Sequence, residues 1–83
     1  MKLFKSVYEK DLDSIISKIE MNMANNYKDA AQLNLKELEQ AIEAYAGEKK
    51  IKGDVLDHYE SVLGIYTERL KGFTHKDQKP YWT

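Results

Sequence analysis

Eighty-three residues are one domain's worth of chain, and a chain this short buries only a little over ~60% of its unfolded surface. The absence of cysteine removes disulfide staples and thiolate metal sites, and leaves regular helix packing or oligomerisation as routes to stability. A formal charge of −1 offers no overall footprint for DNA, RNA or anionic lipid, and no apolar run approaches the ~18 residues that span a bilayer.

One proline and four glycines argue against a loop-rich or all-β chain. The opening MKLFKSVYEKDLD has no apolar core of a secretory signal, so the expected location is cytoplasmic. The abundance of Lys, Glu, Asn and Ile suits an AT-rich bacterium or its phage.

The first predicted helix covers about 6–24. Ser6 and Glu9 stand in capping-box spacing. Tyr8, Leu12, Ile15, Ile16, Ile19 and Met23 then recur at intervals of three and four, which is one helix face. Asn25-Asn26 follows, with Asp29 three residues beyond; Asn26 is the expected N-cap of the next helix. The apolar stripe changes direction here, which supports a break.

The second predicted helix covers about 27–46 and is rich in strong helix formers. Asn34 falls within its apolar stripe, where a polar residue either fixes register or sits at the rim. The third covers about 54–73, with Asp54 as N-cap. Leu56, Tyr59, Leu63, Tyr66, Leu70 and Phe73 form its seam, and Val55 and Val62 widen it. Gly72 and Thr74 are expected to end it, and a polar tail with Tyr81 and Trp82 follows over 74–83.

The stretch 47–54, GEKKIKGD, decides the architecture. The second and third segments share one heptad register, so a single helix over 27–73 is arithmetically possible. That helix would put Lys49 and Lys52 on the seam and bury two glycines in its interior, at ~1 kcal/mol each. A turn gives each residue a role: Gly47 or Gly53 as a left-handed cap, the lysines at a negative helix end, and Ile51 folded inward. The expected fold is an all-α, up-down-up three-helix bundle with an aromatic C-terminal tail. The alternative is a helical hairpin with one long helix, completed by dimerisation.

Glycines and lysines alone do not make this stretch a phosphate loop: no strand precedes it and Gly53 is followed by Asp-Val. His58 has Asp54 one turn before it, but no Glu-x-x-His occurs anywhere in the chain, so a di-iron bundle is excluded. Glu37, Glu39 and Glu43 lie off the apolar face and read as a solvated flank. Neither a cofactor, a metal nor a catalytic residue is expected, and a pocket of the usual ~300 Å3 is not expected in so small a chain.

The remaining signal is apolar. Met21, Leu33 and Ile65 lie off their helix stripes, and Tyr81 and Trp82 are of the types that anchor interfaces. These five residues are the candidate partner-binding set. The expected function is a small non-enzymatic protein–protein interaction module that self-associates as a homodimer. The alternative is a nucleic-acid-binding accessory using Lys49, Lys50 and Lys52.

Overall fold

The structure, a computed structural model, describes residues 5–75, with side chains through Lys71. It contains helices α1 (Val7–Ala24), α2 (Lys28–Gly47) and α3 (Gly53–His75). Tyr81 and Trp82 lie outside the described residues, as does the side chain of Phe73.

The fold is an all-α three-helix bundle. Cross-helix partners set its directions. Asp11, Lys18 and Asn22 of α1 meet Tyr45, Glu37 and Asn34 of α2, so these helices run antiparallel. Asp13 and Glu20 meet Tyr59 and Tyr66 of α3, so α1 and α3 run parallel. The topology is up-down-up, and α2 packs along both neighbours.

Helix α1 starts where the capping pattern places it. Ser6 is the N-cap, and its hydroxyl accepts from the Glu9 amide at 3.2 Å. Its other end differs from expectation. Asn26 has φ 62° and terminates α1 rather than capping α2. The Asn26 amide donates to the Met23 carbonyl and the Tyr27 amide to the Asn22 carbonyl, at 3.1 and 2.8 Å. This is the Schellman arrangement, which satisfies carbonyls that the helix leaves open. Tyr27 takes the N-cap position of α2 with no side-chain bond to it.

The same arrangement ends α2, and the long-helix alternative falls with it. Lys49 donates to Ala46 at 3.0 Å and Lys50 to Tyr45 at 2.8 Å. The left-handed residue is Lys49, φ 62°, and not Gly47, which stays helical. Gly53, also at φ 62°, opens α3, so Asp54 lies in the first turn rather than at the cap. Ile51 is only 3% exposed and closes this end of the bundle. At the far end α3 runs through Gly72 and Thr74 to His75.

The core follows the predicted stripes. Leu12, Ile15 and Ile19 meet Ala31, Leu38 and Ile42, and α3 adds Tyr59, Tyr66 and Leu70. Leu56 and Leu63 of the α3 seam are half-buried. Asn34 is half-buried and bonded across the helices: its Oδ1 accepts from Asn22 Nδ2 at 2.7 Å, and its own Nδ2 donates to Glu37 at 3.2 Å.

Candidate protein-interaction groove

Three tyrosines reach across to carboxylates on α1. Tyr45 donates to Asp11 at 2.6 Å and Tyr59 to Asp13 at 2.8 Å, and Tyr66 donates to Glu20. Tyr59 is 2% exposed, and its hydroxyl also lies 3.4 Å from the Glu9 carbonyl. A buried phenol needs a partner, and each of these has one. Burial and the bond to Asp13 push the Tyr59 phenol far above its ordinary range. Tyr66 is raised by burial and by Glu20, and Tyr45 by its bond to Asp11 and by burial. Partial burial pulls the Asp13 carboxyl up, but bonds from Lys5 and Tyr59 outweigh it and hold it below the ordinary value. The hydroxyl protons of these tyrosines are thus donated within the fold.

A groove of about 620 Å3 runs between α2 and α3. Leu33, Leu35 and Leu63 supply its apolar surface, and Asp29, Lys36, Glu39 and Thr67 are among its polar margin. It is larger than the sequence suggested for so small a chain. From α3 only Leu63 and Thr67 line it, and Thr67 presents a short side chain there.

The candidate partner-binding residues separate. Leu33 lies in the groove wall and is 69% exposed. Met21 is exposed on α1 and Ile65 on α3, and neither lines the groove. By helical spacing each points away from its own helix's buried residues, so the three do not form one patch. Two exposed apolar residues escaped the sequence reading, Val7 and Tyr27. Leu35 and Leu63 were also missed as groove residues. Both follow the core stripe, and a gap between helices leaves no trace in periodicity.

Lys49, Lys50 and Lys52 are exposed at the α2–α3 turn. Lys50 Nζ lies 5.6 Å from the centre of the Tyr8 ring, a cation–π contact within the fold, and Glu48 and Asp54 bracket the cluster. His58 packs edge-on against Tyr59, with ring centres 4.8 Å apart. Among the described residues, no three His, Asp or Glu side chains gather as a metal site, and no helix is long and apolar enough to cross a membrane. Comparison with protein-family models, curated proteins and solved structures gives no match for this chain.

Proposed function

We propose that this chain is a small non-enzymatic protein–protein interaction module, of regulator, adaptor or inhibitor type, and that it docks partners in the α2–α3 groove. The observation that carries the reading is Leu33, 69% exposed beside Leu35 and Leu63 in an open cleft. A leucine so placed gains ~1.5–3 kcal/mol when fully covered, and a mixed Asp29, Lys36, Glu39 margin suits a polar rim around such a contact. The same surface is available to a second copy of the chain.

The test is affinity capture from the native host with three baits: the unaltered chain, Leu33→Asp, and Met21→Asp as an exposed control outside the groove. The expected result is a partner retained by the Met21→Asp bait and lost with Leu33→Asp. A partner set indifferent to Leu33→Asp overturns the reading. Light scattering on the same three proteins reports whether one of those partners is the chain itself.

A further inference from the structure

The groove has a definite mouth. Helix α2 runs antiparallel to α3, and Gln32 Nε2 donates to the Leu70 carbonyl at 3.4 Å. Asp29, nearer the start of α2, therefore lies toward the end at which α3 delivers the chain through His75. Going inward from that end, the wall presents Asp29, then Leu33, then Lys36 and Glu39. Thr67 and Leu63 face them from α3.

Beyond His75 the sequence reads Lys76, Asp77, Gln78, Lys79, Pro80, Tyr81, Trp82, Thr83. Reach favours a return to the groove. Thr67 is eight residues and Leu63 twelve residues back along the helix from His75, about 12 and 18 Å at 1.5 Å per residue. Trp82 is seven residues beyond His75, and extended chain spans up to about 23 Å over that length. Order favours it too. A segment turning back meets Asp29 first and the leucines next, and its own order is Lys79 followed by Tyr81 and Trp82. Pro80 disfavours helix at the residue before it, Lys79.

We infer that the α2–α3 groove is a docking site for the chain's own Lys79–Trp82 segment, with Trp82 and Tyr81 against Leu33, Leu35 and Leu63 and Lys79 beside Asp29. The inference rests on reading the groove as a surface that accepts apolar side chains. Attachment in the same chain favours this occupant over a second copy. A short tether gives an effective concentration on the order of millimolar, which a separate molecule does not match at micromolar protein. The segment then acts as an internal competitor, and a partner enters the groove by displacing it.

Trp82 is the sole tryptophan, so its fluorescence reports this segment alone. In the full chain at low micromolar concentration we expect blue-shifted emission and weak quenching by acrylamide. Leu33→Asp should shift the emission to the red and raise quenching several-fold, with helical circular dichroism unchanged. Thr67→Lys, also exposed, should do the same from the opposite wall, and Met21→Asp should do neither. Solvent-like emission in the unaltered chain overturns the inference, as does shielding that survives both groove substitutions. Shielding that disappears on dilution assigns the occupant to a second copy and overturns it as well. Solvent-like Trp82 together with Leu33-dependent partner capture overturns this inference and leaves the docking function standing. Shielding lost in Leu33→Asp, with no partner that depends on Leu33, supports the inference and overturns the docking function.

Discussion

Asp13 is held by both oxygens: Oδ1 accepts from the Tyr59 hydroxyl at 2.8 Å and Oδ2 from Lys5 Nζ at 2.6 Å. The two donors come from opposite directions in the chain, one ahead of α1 and one on α3. The pair joins α1 to α3, helices that share less packing than either shares with α2.

Removing that link should loosen α3. A hydrogen bond to a charged group contributes roughly 1.5–3 kcal/mol, and Asp13 is only half-buried, so the lower end applies. Tyr59→Phe should lower the urea midpoint by about 1–2 kcal/mol equivalent, with no change in slope. Hydrogen exchange should rise in α3 before it rises in α1 or α2. Uniform exchange across all three helices would show that α3 does not loosen separately.

The same pairs give stability a pH profile with two limbs. Asp13 is depressed on folding, so its contribution is present above its unfolded value of 3.8 and is lost as pH falls through the folded value. Tyr45, Tyr59 and Tyr66 are raised on folding. Their contribution is full below the unfolded value of 10.0 and is lost as pH rises toward the folded values. Urea midpoints measured across pH should therefore fall below about pH 4 and above about pH 10. Tyr59→Phe and Tyr66→Phe should each flatten the alkaline limb.

Backbone strain predicts substitutions of opposite sign. Lys49 occupies the left-handed region at φ 62°, where a side chain costs about 1–2 kcal/mol. Lys49→Gly relieves this against a loss of ~0.4–1 kcal/mol from a freer unfolded chain. Net stabilisation of about 0.5–1 kcal/mol is expected in thermal melts. Gly53 shares the conformation, so Gly53→Ala should destabilise by about 1 kcal/mol.

Gly64 offers a stabilising substitution. Its Cβ would meet nothing, and it lies inside α3, so Gly64→Ala should stabilise by about 0.5–1 kcal/mol through helix propensity. Thermal melts check this, and an unchanged or lowered midpoint would overturn it.

Much of the fold was legible because helical periodicity is a direct record of burial. The Leu12, Ile15, Ile19 stripe and the Tyr59, Tyr66, Leu70 stripe are both core. Ile51 was legible because only an inward fold gave an isoleucine among lysines a purpose. The turn residues were less legible. Asn and Lys at 26 and 49 supply the left-handed positions although Gly47 stands two residues from the second; the bonding pattern of the last turn decides this, and composition does not encode it. The groove was not legible at all. It depends on how far α3 stands from α2, and half-buried Leu35 and Leu63 have the same spacing whether the cleft is open or filled.

The turn at Lys49 has one more consequence. Heptad phase continues unbroken from Tyr45 to Leu56, so straightening the turn would leave the apolar faces of α2 and α3 still aligned. What holds it shut is the Schellman pair of bonds and the burial of Ile51, the latter about 1.5–3 kcal/mol. Straightening it would let two chains trade their third helices. Helix-forming residues at 47, 49 and 53, with Ile51 made polar, should bring about that exchange, visible as a doubled mass with the helix content retained.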